Sequence, residues 1–187
     1  VAAFIGEPLM GAGGVIVPPS TYWPEIARIC RERDILFISD EVICGFGRTG
    51  KWFGCETFNT QPDILVMAKG ITSGYMPLGA VMVADRVAET LLEGGDFNHG
   101  YTFSGHPVAC AVALKNLEIM EREKLVPRVT EFGAPMLAKM LAKFKDHPLV
   151  GEVRSVGLLG AIELVADKRT RRRFDNPGRV GLICRDH

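Results

Sequence analysis

Four short runs of consecutive apolar residues constrain this chain most: Val1 to Ile5, Ile35 to Ile38, Ile64 to Met67 and Gly79 to Val83. None alternates between apolar and polar residues. A strand open to water on one face must alternate, whereas a strand covered on both faces is apolar throughout. Helix-like segments fall between the runs, so the pattern predicts an α/β fold of three layers. It would have a mostly parallel sheet with helices on both faces.

The helical segments carry their own punctuation. Ser20 is placed to cap a helix from Tyr22 to Arg33, with Trp23, Ile26, Ala27 and Cys30 on one face. Asp85 opens a short helix through Leu92, and Pro107 suits the first position of another. That helix begins Val108-Ala109-Cys110-Ala111-Val112-Ala113-Leu114, apolar all round, which predicts burial of its first turns. A long helix is expected from Pro127 to Lys145, bent near Phe132 by Pro135. Phe132, Met136, Met140 and Phe144 recur every fourth residue along it, a stripe expected to pack. Extended segments follow around Val150 to Val156 and Leu158 to Val165, with turns at Gly151 and Gly157. The shift to shorter segments places a domain boundary between residues 106 and 148. The chain opens directly into an apolar run and stops at His187 just after a helix start, as expected of a piece of a longer protein.

Composition excludes several classes. Lys+Arg and Asp+Glu both number 22, so the formal net charge is zero, which argues against a dedicated nucleic-acid or membrane-surface binder. The run Lys168 to Arg173 reads as a solvated loop. No 18-residue apolar stretch and no signal-peptide pattern occur. Five cysteines without a C-x-x-C pair fit neither a disulfide framework nor a zinc site, and unpaired thiols suggest a reducing cytoplasm. The four histidines share no ligand spacing, so no metal is expected.

Two polar residues follow buried strands. Asp40 ends the second run and Lys69 the third. Ligands of open α/β sheets bind outside the carboxyl ends of the strands, so a carboxylate and an amine there can share one site. A lysine so placed is a candidate Schiff-base former. An aspartate so placed can hold a pyridinium nitrogen in its charged state. On spacing alone a second reading stands, in which both residues only cap strand ends in loops.

The surrounding words carry more. Asp40-Glu41-Val42-Ile43-Cys44-Gly45-Phe46-Gly47-Arg48-Thr49-Gly50 resembles the signature of the class III pyridoxal-phosphate-dependent (PLP-dependent) aminotransferases. So do Pro62-Asp63-Ile64, Ala68-Lys69-Gly70 and Pro77-Leu78-Gly79-Ala80. Glu7-Pro8 with Gly11 and Gly13-Gly14 resembles another segment of that family, and Tyr101 to Pro107 a further one. The motifs fall in the family's order and span essentially the whole chain. The resemblance runs toward the ω-amino acid (diamine):pyruvate aminotransferases.

By that resemblance the fold is the large domain of a fold-type I PLP enzyme plus the start of a small α+β C-terminal domain. Residues 1–106 would be the later part of the PLP-binding domain, 107–148 connecting helices, and 149–187 the start of the small domain. Lys69 would bind PLP covalently and then act as general base. Asp40 would pair with the pyridine nitrogen, and Val42 would pack on the ring, its β-branched side chain making a stiff wall. Thr102 would donate to the cofactor phosphate in the neighbouring subunit's site, which implies a homodimer. Glu7 would stand behind the cofactor, and Arg48 would anchor the turn after Asp40; for both, a structural ion-pair role is the other reading.

One departure bears on substrate. Ornithine and 4-aminobutyrate aminotransferases carry a glutamate in the Gly-rich segment that pairs with a carboxylate-binding arginine. Ala12 stands at that position here. This favours pyruvate as the acceptor, with an ω-amino acid, diamine or other amine as donor, in a ping-pong transfer. The family's upstream phosphate-binding turn and its downstream arginine are not among these residues. The chain alone is therefore expected to bind PLP poorly and to be inactive. The rivals are an aminomutase or decarboxylase of the same fold, and a non-catalytic binding or assembly module.

Overall fold

The computed structural model describes residues 1–187, apart from the side chain of Pro177. The apolar runs become β1 (Ala3–Gly6), β2 (Leu36–Asp40), β3 (Ile64–Met67) and β4 (Ala80–Val83) of one sheet in the order β1-β2-β3-β4. β1 to β3 are parallel and β4 runs antiparallel to β3. Ile38 pairs with Ile64 and Asp40 with Val66, so β2 and β3 end side by side.

Helix α1 (Tyr22–Glu32) lies over the face that carries Phe4 and Phe37. Trp23 stacks on Phe37 at 5.5 Å between ring centroids, and its indole N–H donates to the Pro8 carbonyl at 2.6 Å. Thr21 rather than Ser20 precedes the first helical residue, and its side chain makes no cap bond. The same face carries Leu65 and Met67, which meet Ala113 of α4 (Pro107–Arg122). Pro107 opens α4, as its sequence predicts. On the opposite face Ile5 and Val81 remain 59% and 65% exposed, so within this chain the helix cover is complete on one side only.

The apolar first turns of α4 are buried on one face alone. Ala109 and Ala113 are in the core, while Val108 and Leu114 face water. An all-apolar helix needs neighbours on every side, and here only the sheet side has them.

The expected helix from Pro127 to Lys145 is three pieces: α5 (Leu125–Arg128), a π-helical turn (Val129–Gly133) and α6 (Ala134–Ala142). Pro135 has no N–H to give the carbonyl four residues back, and the chain takes up the mismatch as a wider turn in which the Ala134 N–H reaches the Val129 carbonyl. Phe132, Met136, Met140 and Phe144 are all exposed, which corrects their reading as a packing stripe. Leu137 and Leu141 pack instead, against Gly160 of an antiparallel hairpin, β5 (Val150–Val156) and β6 (Leu159–Leu164).

The remaining helices are α2 (Gly54–Thr57), α3 (Asp85–Glu93) and α7 (Pro177–Asp186). No helix among the described residues is long and apolar enough to cross a membrane.

Candidate active site

Lys69 begins a 3-10 turn (Lys69–Thr72) directly after β3 and adopts a left-handed backbone, φ 44°. Non-glycine residues avoid that region unless their surroundings hold them there. Phe46 supplies part of the restraint. A Cβ on Gly70 would come within 2.8 Å of the Phe46 Cβ, so the residue after Lys69 must be glycine for the loop after β2 to pack this closely. Asn116 of α4 donates to the carbonyls of Gly70 and Ile71 at 3.0 and 3.1 Å and fixes the turn from the other side. The Lys69 side chain is exposed, and its amine has no hydrogen bond or ion pair among the described residues.

Lys69 opens on a cavity of about 660 Å³. Val42, Ile43 and Phe46 form one wall, Met120 and Val126 a second, and Leu158 and Leu159 at the hairpin tip a third. The wall is mainly apolar, and no carboxylate lines it. The hairpin is held over the cavity by the Leu158 N–H, which donates to the Arg48 carbonyl at 2.8 Å. Thr130 adds a bond from its hydroxyl to the Gly50 carbonyl at 2.8 Å.

Asp40 stands at the end of β2, beside the strand that delivers Lys69. One carboxylate oxygen accepts from the Val42 N–H at 3.0 Å. That bond orients Asp40 and Val42 together, and the other oxygen has no partner among the described residues. The free amine, the oriented carboxylate and the apolar Val42 suit a flat, electron-poor aromatic aldehyde. The amine can bond a carbonyl carbon, the carboxylate can hold a protonated ring nitrogen, and Val42 can lie on the ring. By their chemistry these residues fit PLP; Lys69 and Val42 share the cavity lining, and Asp40 lies outside that lining at the end of β2.

Thr102 does not join this cavity. It is exposed in the loop before α4, between exposed Tyr101 and Phe103. Glu7 makes no ion pair among the described residues; its carboxylate accepts from the Gly11 N–H at 2.9 Å and shapes the turn after β1. Arg48 holds the hairpin through its backbone carbonyl and is among the residues that line the cavity, with no ion pair among the described residues.

Glu41 is the residue that sequence reading passed over. It is fully buried, at 0% exposure. Its carboxylate accepts from the backbone N–H groups of Gly54 and Cys55, each at 2.7 Å, and from the Ser39 hydroxyl at 3.1 Å. It ties the end of β2 to the start of α2 and closes the loop that carries Val42 and Phe46. In the fold it shares the buried side with residues 37 and 39. Cys44 and Cys55 lie beside it, and burial pushes their thiols up to about 11 and about 12.

Comparison with known proteins follows the same lines. The family described as aminotransferase class-III matches residues 1–187. A putrescine–pyruvate aminotransferase of Pseudomonas aeruginosa is 57% identical over 187 residues, which are 100% of this chain and 41% of that protein. A diaminobutyrate–2-oxoglutarate transaminase of Halomonas elongata is 49% identical over 185 residues, 97% of this chain and 39% of that protein. A crystal structure of an (S)-enantioselective omega-transaminase from Thermomicrobium roseum superposes with a TM-score of 0.92 at 51% identity. That match covers 97% of this chain and 41% of the other. The chain thus spans about two fifths of the length of these relatives.

Proposed function

The chain belongs to the class III aminotransferases, and from that premise we propose that the whole protein, at its relatives' length, moves an amino group from a diamine, ω-amino acid or other amine to pyruvate. PLP is the cofactor of this reading. The observation that carries it is the unpartnered Lys69 amine, held on a strained backbone at the mouth of a largely apolar cavity, with Asp40 ending the next strand.

PLP when bound supplies a carbonyl carbon that amines condense with and a ring that withdraws electrons from the bonds beside it. Lys69 is the covalent attachment point in this reading. Its Nζ, when free, would be the base placed to take a proton from the substrate carbon that bears the nitrogen. Asp40 would keep a proton on the ring nitrogen, because a fixed negative charge beside a cation favours the charged form. Val42 would restrain the ring, and the aliphatic side chains of the hairpin tip would limit water on that side.

Thr102 completes the reading from outside. Its exposure on the loop before α4 supports a hydroxyl handed to the phosphate in a second subunit's site, and hence a homodimer. Ala12 supports pyruvate over 2-oxoglutarate, in line with the name of the Pseudomonas relative. Residues 1–106, 107–148 and 149–187 are assigned to large domain, connecting helices and the start of the small domain. The sheet precedes that boundary and the separate hairpin follows it. Five unpaired cysteines support a cytoplasmic location.

The test uses the full-length gene product with pyruvate and a panel of amine donors. Alanine should form, and an absorbance band abolished by borohydride should be lost in Lys69→Ala. Asp40→Asn should lower alanine formation about a hundredfold or more while the fold is kept. Alanine formation at an unchanged rate in Lys69→Ala, or none from any donor, refutes the proposal.

A further inference from the structure

We propose that Arg154 is a positioning residue that locks two walls of the Lys69 cavity to each other. Its side chain is only 13% exposed, which is uncommon for arginine. The guanidinium makes four hydrogen bonds. Nη1 donates to Glu152 and to Glu163, each at 2.7 Å. Nη2 donates to the Gly14 carbonyl at 2.9 Å and Nε to the Val15 carbonyl at 3.2 Å.

The two halves of this arrangement do different things. Glu152 and Glu163 are register partners on β5 and β6, and two like charges facing across a hairpin repel unless a cation lies between them. The carbonyls of Gly14 and Val15 belong to the turn after β1, about 140 residues earlier in the chain. Glu7 holds the start of that turn through the Gly11 N–H. Gly11 lies flat against Ile43, where a Cβ would come within 2.6 Å of the Ile43 side chain. Ile43 lines the cavity on one side and Leu158, at the tip of the Arg154 hairpin, lines it on another. One guanidinium therefore sets how far the hairpin tip stands from the wall that Ile43 belongs to. An ammonium has no planar fork and cannot reach both carbonyls while serving both carboxylates.

This inference rests on the reading of the Lys69 cavity as the cofactor site, and its test separates the two. Arg154→Lys and Arg154→Ala are made in the full-length gene product, with Arg122→Ala, which breaks two exposed ion pairs at the end of α4, as control. Hydrogen exchange is followed in peptides covering the Val15 and Ile16 amides and the Leu158 amide. Both segments should exchange about tenfold faster in Arg154→Lys, with α1 and the control unchanged. After incubation with PLP and borohydride reduction, the ratio of label on Lys69 to label on other lysines should fall severalfold. Rescue by lysine, or loosening of one segment without the other, overturns the proposal, and the lysine variant decides the matter if the alanine variant does not fold. If both segments loosen together but unaltered Lys69 takes no label, the coupling stands and the cofactor reading falls.

Discussion

The Glu41 carboxylate and the Cys55 thiol share the start of α2, and both are shut off from water. Burial is the first cause that pushes Cys55 from 9.0 to about 12, and the Glu41 charge is the second. The folded chain therefore keeps a proton that the unfolded chain releases. Stability from this thiol is complete below the unfolded value and is lost as pH rises from about 9 through about 12. Cys55→Ala should flatten that alkaline decline, read as the difference in urea midpoint between about pH 8 and about pH 10.5. Identical declines in both proteins would show that the thiol is not its source. Asp40 and Lys69 stood out in the sequence because each sits at the end of an apolar run within a motif that resembles the family's, a local signal. Glu41 did not, because its partners Gly54 and Cys55 come 13 and 14 residues later and only the folded loop brings them to it.

At the level of elements, Glu41 is the latch between β2 and α2. Replacing it with alanine leaves the Gly54 and Cys55 N–H groups buried without an acceptor, each costing about 1–3 kcal/mol. Glu41→Ala should destabilise the chain by about 3 kcal/mol, seen as a lower urea midpoint at constant slope. A loss under about 1 kcal/mol would mean that water replaces the carboxylate and that the loop does not depend on it. The strands were readable from the sequence to within a residue or two, since an uninterrupted apolar run has few other places to go. The helix around Pro135 was readable only as a region. A missing N–H predicts a disruption, but a bend and a π-helical turn both satisfy it, and docking decides between them. Here the turn places Thr130 on the Gly50 carbonyl. The four-residue repeat of Phe132 to Phe144 misled for a related reason. Periodicity marks an apolar face and does not say what covers it.

For the molecule as a whole, the apolar surface is the dominant physical fact. Ile5 and Val81 on the open sheet face, Leu114 on α4, and Phe132 with Met136, Met140 and Phe144 along the α6 segment all meet water. Scattered exposed apolar side chains are ordinary, but three separate faces of this kind are an association hazard. Net charge offers no protection, because 22 basic and 22 acidic residues cancel and leave no long-range repulsion between copies. The 187-residue chain on its own should therefore self-associate at micromolar concentration, with a sedimentation coefficient that rises with loading. Ile5 and Val81 sit on an edge strand each, where unpaired backbone groups add a second route to pairing, so the sheet should contribute alongside the helix. Replacing Phe132 with Glu and Met140 with Lys reduces the helical contribution without altering a residue that lines the cavity, and should weaken association while leaving the far-ultraviolet circular dichroism unchanged. If the unaltered chain sediments as a monomer at every loading, the exposed faces are too small or too dispersed to drive assembly, and the cost of leaving them wet is one this fold tolerates.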